Sequence, residues 1–139
     1  MNGTILGIDF GTARIGVAIR EGPGLPVVPL TTIAHKSWEA DIAAIVRLAA
    51  ERSARRIVVG NPIRMDGSVG AAAEKVAAFI GELRSRFDGE VIAHDERFTT
   101  AAAARKLREL PVSPSKRRRR LDEVAAALIL DSYLTGSNS

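Results

Sequence analysis

Cysteine is absent from the 139 residues. That excludes a disulfide-stapled scaffold and any thiolate metal site, and it permits a reducing compartment. Long apolar runs are missing too: nothing approaches the roughly 18 unbroken apolar residues of a membrane helix. The first stretch, "MNGTILGIDFG", has neither the cationic n-region nor the apolar h-region of a secretory signal. Internal repeats and linkers are also lacking. The expectation is a soluble, cytoplasmic protein with no membrane partner, folded as one domain over residues 1–139, with 135–139 a frayed tail.

What is present is globular in kind, with 46% hydrophobic and 26% charged residues and a formal net charge of +4. The excess is modest, but its arginines cluster. Clustered arginine makes a phosphate-rich partner a candidate, and solubility alone would account for it equally well.

Periodicity and turn chemistry divide the chain. Residues 4–10, "TILGIDF", read as a buried strand, 14–20 as a second and 27–33 as a third, with "EGPGLP" (21–26) a turn and Pro29 moving the third toward a sheet edge. Short links predict an antiparallel meander. The spacing then becomes helical over 37–53, with Ser37 an N-cap. A strand at 55–60, a loop at 61–70, a helix at 71–87, a strand at 90–94, a helix at 99–110 and a last helix at 117–134 complete the order β-β-β-α-β-α-β-α-α. Strands alternating with helices imply right-handed crossovers and parallel pairing. The fold class is α/β: a five-stranded mixed sheet, its first three strands antiparallel, flanked by helices. Strands one and five are expected to be central.

Acids fall where such sheets bind ligands, at the carboxyl ends of strands. Asp9 ends the first strand, and Asp95 and Glu96 end the fifth. Each has a structural alternative: Asp9 as a turn cap, Asp95 as a helix cap, Glu96 as an ion-pair partner of Arg97. His94 reads as the last residue of its strand. His35 has no chemical neighbours and reads as surface. On the last helix Asp122 and Glu123 head adjacent stripes that are both apolar further on, so spacing does not choose between them. If one acid from each place converged, the carboxylates would repel unless a cation stood among them. Oxygen-only ligation selects a hard divalent ion, Mg²⁺ or Mn²⁺, one or two of them, suited to phosphodiester hydrolysis.

The run Lys116, Arg117, Arg118, Arg119, Arg120 precedes Asp122 directly. It crowds cations at a helix N-terminus, where the dipole disfavours them by a few tenths of a kcal/mol each. Breaking a local rule beside acids suggests a grip on a nucleic-acid backbone.

Four stretches, "GIDFGTARIGVA" (7–18), "VVGNPIRMDGSVG" (58–70), "DERFTT" (95–100) and "LDEVAAALILDSYL" (121–134), together resemble the YqgF family, also called RuvX, of Holliday junction resolvase-like and pre-16S rRNA nucleases. They occur in the family's order and span nearly the whole chain. The resemblance implies an RNase H-like fold, metal-dependent phosphodiester cleavage, and Asp9, Glu96 and Asp122 as the acidic, metal-holding triad. It also matches Arg14 and Arg97, expected to bind nucleic acid, and the Gly60–Gly67 loop. There Asn61 stands where the family more usually has leucine. Gly11 permits a tight turn after the first strand, and Gly60 and Gly67 would let backbone approach phosphate.

The implied substrate is structured RNA, in 5′-end maturation of pre-16S rRNA, with a ribosomal precursor particle as the setting. Branched DNA is the alternative, and its symmetrical cleavage would call for a dimer; the chain is expected to be a monomer or weak homodimer. A different class, an actin-like ATPase domain, is suggested by "IDFGT", but the loop lacks lysine and no second half follows. A non-catalytic nucleic-acid module would explain the arginines but not acids ending two separate strands.

Overall fold

A computed structural model describes residues 3–11, 13–62, 67, 69–96 and 115–136, with only the backbone at 115–118. Its elements are β1 (Ile5–Phe10), β2 (Arg14–Arg20), β3 (Val27–Ala34), α1 (Trp38–Glu51), β4 (Arg56–Asn61), α2 (Ala71–Arg86), β5 (Glu90–Asp95) and α3 (Ser115–Gly136). The helix expected over 99–110 lies outside the described residues.

The strands form one sheet in the order β3-β2-β1-β4-β5. β1–β2 and β2–β3 are antiparallel, and β1–β4 and β4–β5 are parallel. The mixed sheet and its antiparallel meander agree with the sequence. β3 takes an edge, as Pro29 requires. The β2–β3 register shifts beside it, so that Val17 faces Thr31 while Ala18 faces Pro29.

β5 does not take a central position; it is the other edge. The physical reason is composition. β4 offers Ile57, Val58 and Val59, all fully buried, and a run apolar on both faces belongs inside a sheet covered on both sides. β5 carries Glu90, His94 and Asp95, which an edge tolerates.

The sheet lies between two helical layers. Leu6, Ile8 and Phe10 of β1 pack with Ile42 and Ile45 of α1 and Val76, Phe79 and Leu83 of α2. On the opposite face Ile5 and Val58 pack with Ala125, Ile129 and Leu130 of α3. Side chains alternate along β1, so Ile5, Gly7 and Asp9 face α3 while Leu6, Ile8 and Phe10 face α1 and α2. Ser37 caps α1 as expected, its Oγ accepting from the Ala40 amide at 3.1 Å, and Glu39 and Asp41 lie in the first turn, where the dipole favours anions.

α3 begins two residues before the expected start and runs on to Gly136, so Thr135 and Gly136 are helical rather than part of a tail. The cationic run therefore sits inside its first two turns, and no acid occupies the first. The helix lies very close to the sheet: a Cβ on Gly7 would stand 2.7 Å from Leu130 Cβ, and one on Gly16 would stand 2.0 Å from the Asp122 carbonyl oxygen. Glycine in a strand interior is a cost accepted where another element approaches closely.

Candidate active site

Four acids are buried among the described residues, and three of them lie toward α3: Asp9 at 0%, Asp122 at 1% and Glu96 at 5% exposure; the fourth, Asp41, is in α1. Asp9 lies one residue before the end of β1 and, by alternation, on the face of Ile5 and Gly7, toward α3. Glu96 follows β5 on the face of Ile92 and His94, both of which meet α3. Asp122 lies in α3 itself.

Two glycines connect them. Asp9 pairs across the sheet with Gly16, and the Asp122 backbone rests on Gly16. On the other side, one step past the Ile8–Val59 pair, the register brings Gly60 beside Asp9. A Cβ on Gly60 would lie 2.5 Å from Glu96 Oε2 and 2.5 Å from Ile129 Cδ1. Each neighbour of Asp9 thus lacks a side chain, and each vacated space is taken by one of the other two acidic residues.

The structure separates the acids that spacing left tied. Glu96 is buried where Asp95 is half-buried at the β5 terminus, in register with Asn61. Asp122 is buried where Glu123 points toward β3, with Thr32 Oγ1 3.0 Å from its Oε2. Thr32 Oγ1 also donates to the Arg119 carbonyl at 2.9 Å, fixing the end of the cationic run on the sheet. Arg119 and Arg120 are exposed; the side chains of Lys116, Arg117 and Arg118, and all of Arg97, lie outside the described residues.

Arg14, expected on nucleic acid, donates from Nε to Asp122 Oδ2 at 2.6 Å, a short charge-assisted bond. Its side chain is 23% exposed, which leaves one side open to solvent. Gly11 donates to the Arg14 carbonyl at 3.0 Å, closing the β1–β2 turn. Gly67 has φ +87°, the left-handed region glycine favours, and Gly60 clears space for Glu96 where the sequence suggested a phosphate approach. Asn61 Oδ1 is buried with no hydrogen-bond partner among the described residues.

His35 is not a surface residue without neighbours. Its Nδ1 lies 2.6 Å from Asp41 Oδ2 and its Nε2 2.8 Å from the Gly11 carbonyl oxygen. Its partners come from two other segments, the β1–β2 turn and α1, at spacings with no periodic signal, which is why sequence reasoning missed it. His94 contacts Ser132 Oγ at 2.9 Å and meets Tyr133 edge-on. Burial pushes its imidazole below the usual value, while Asp95 acts in the opposite direction.

Among the described residues, no three His, Cys, Asp or Glu side chains stand as a ready ligand set for one metal ion. The structure brings the three acids to one face around Gly16 and Gly60, with Asp122 held by Arg14. The donor chemistry still fits a hard divalent cation: carboxylate oxygens only, in a cradle that a single Cβ would fill. Among the described residues, no helix is long and apolar enough to cross a membrane.

The family profile described as "RuvX: Holliday junction resolvase" matches residues 3–136. Relatives bearing the name "Putative pre-16S rRNA nuclease" include one from Chloroflexus aggregans, 45% identical over 94% of this chain and 92% of its own. Another, from Syntrophus aciditrophicus, is 43% identical over 94% and 87%. The Thermus thermophilus RuvC structure superposes with TM-score 0.55 at 12% identity, covering 96% of both chains. The fowlpox virus Holliday junction resolvase does so with TM-score 0.55 at 17% identity, covering 96% of this chain and 99% of its own. The architecture is therefore the RNase H-like one that the motifs implied. With the profile matched along nearly its whole length and such relatives beside it, the chain belongs to the RuvX family.

Proposed function

We propose that this protein is a nuclease that hydrolyses phosphodiester bonds of structured RNA, in maturation of the 5′ end of pre-16S rRNA, with the help of a divalent cation. The observation that carries the reading is the burial of Asp9, Glu96 and Asp122 on one sheet face, around two glycines that leave room for them. Buried carboxylates without an apolar purpose are costly, and three from distant parts of the chain signal a site rather than a fold requirement. Family membership and the names of the relatives support the same chemistry.

Asp9, Glu96 and Asp122 would hold Mg²⁺ or Mn²⁺, which when bound supplies the positive charge that favours a hydroxide nucleophile and offsets charge on the leaving oxygen. The remaining work falls to the protein's own groups. A carboxylate oxygen accepts a proton from the attacking water. Arg14 neutralises Asp122 and keeps one side toward solvent, where a phosphate would meet it. The cationic first turns of α3 hold the nucleic-acid backbone beside the acids. RNA is favoured by the relatives' names, and the family description favours a four-way DNA junction as the second substrate.

The test is side-by-side incubation of a labelled pre-16S 5′ leader and a four-way DNA junction with the purified protein and Mn²⁺. The leader is cut at its maturation end, and Asp9→Asn abolishes cutting with an unchanged circular-dichroism spectrum. Resolution of the junction with an intact leader would transfer the reading to DNA, and inertness toward both would end it.

A further inference from the structure

Residue 35 grips the turn behind Asp9 at two points. β1 ends at Phe10 and β2 begins at Arg14, so the short connection between them joins Asp9 to Arg14, whose guanidinium holds Asp122. The His35 amide donates to the Ala13 carbonyl at 3.3 Å, and Nε2 of its ring lies 2.8 Å from the Gly11 carbonyl oxygen. The other ring nitrogen faces Asp41 Oδ2 at 2.6 Å. Asp41 is itself buried, 5% exposed, and its Oδ1 accepts from the Lys36 amide at 3.1 Å.

Proton counting links the two contacts. A carbonyl oxygen only accepts, and so does an ionised carboxylate, whereas a neutral imidazole has a single N–H. Both short contacts are satisfied when Nε2–H donates to the Gly11 carbonyl and one proton lies between Nδ1 and Asp41 Oδ2, whichever of the two carries it. The ring also packs edge-on against Phe10 at 5.2 Å, and Phe10 packs on Phe79 at 4.3 Å. Phe10 stands between Asp9 and Gly11, so the ring holds the chain on both sides of one peptide unit.

We propose that His35, held by Asp41, is a positioning residue for the carboxylate site: it fixes the turn between Asp9 and Arg14, and through Arg14 the place of Asp122. This rests on the reading of Asp9 and Asp122 as the site of cleavage. His35 faces protein groups on both nitrogens, and its effect reaches the site through the turn.

Three measurements test it. In ¹⁵N-histidine NMR of the intact protein, Nε2 of His35 carries a hydrogen-bonded proton, and Asp41→Asn loosens that bond. Amide exchange at Gly11 and Ala13 quickens in Asp41→Asn and in His35→Ala. Mn²⁺ binding by calorimetry weakens in both variants, and kcat on the leader falls with KM unchanged, each by about 10-fold or more, as for residues that orient metal ligands from behind; His35→Gln, which keeps a donor for one acceptor, falls in between. An Nε2 without a proton in the wild type overturns the proposal, and so does wild-type Mn²⁺ affinity in both folded variants. If the wild-type protein neither binds Mn²⁺ nor cuts the leader, the functional reading fails instead, and the NMR and exchange results still decide whether His35 holds the turn.

Discussion

Substituting Gly60 by alanine should disarm the site while sparing the fold. The new Cβ would stand 2.5 Å from Glu96 Oε2, 2.5 Å from Ile129 Cδ1 and 2.9 Å from Glu96 Cδ. Ordinary contact begins near 3.4 Å, so the Glu96 carboxylate must retreat by about 1 Å. Both obstructing groups are the far ends of flexible side chains, and both can move. The overpacking therefore costs about 1–2 kcal/mol, or about 4–8 °C in melting temperature at about 4 °C per kcal/mol. Misplacing a reacting group by about 1 Å costs about 10²-fold in rate, equivalent to about 2.7 kcal/mol of barrier. Gly60→Ala should thus melt a few degrees early yet lose about two orders of magnitude in kcat on the leader. Glu96→Gln should match the kcat loss without the melting shift, because it changes no volume. The assay is single-turnover cleavage at saturating Mn²⁺, beside a thermal melt of each variant. Full activity in a folded Gly60→Ala protein would refute the argument, since it would mean that Glu96 need not occupy the space over Gly60.

Gly16→Ala offers the contrasting case: its Cβ would meet the Asp122 backbone at 2.0 Å, which moves only if α3 lifts from β2, so the variant should be insoluble or melt far below the wild type. Arg14→Gln removes a charge-assisted donor from a buried carboxylate and should cost about 1.5–3 kcal/mol in chemical denaturation. Saturating Mn²⁺ should narrow that deficit, because an ion held at Asp122 replaces the lost positive charge; an equal deficit with and without Mn²⁺ would count against Asp122 as a ligand. Replacing Arg117 to Arg120 by glutamine should weaken leader binding and lower the slope of log K against log salt by about 3, for four phosphate contacts at about 0.7–0.9 each. An unchanged slope in a filter-binding titration would remove that role from them.

The local part of the fold was legible because local physics decides it. Ser37 capped the helix it preceded, and Pro29 led β3 to an edge. The position of β5 was not, because strand order is settled by pairing between distant segments. Even so, a composition signal existed in the polar residues Glu90, His94 and Asp95 set against the apolar run of β4. The acids were legible as types at strand ends, but choosing Glu96 over Asp95 or Asp122 over Glu123 needed the family resemblance or the facing direction, since adjacent residues share every local property except the side to which they point. His35 had no local signal at all, because Gly11 and Asp41 reach it from different segments.

The space that the acids occupy was written differently, in glycines within strands. A glycine inside a strand weakens it and is kept where something approaches closely. Gly7, Gly16 and Gly60 are three such positions, within or beside one strand and directed at one helix. Gly7 admits the α3 backbone at Ala126. Gly16 and Gly60 admit Asp122 and Glu96, on either side of Asp9. Asp9 is thus marked by the side chains its neighbours lack, and the two substitutions that restore a methyl there separate the roles: one displaces a helix, the other a carboxylate.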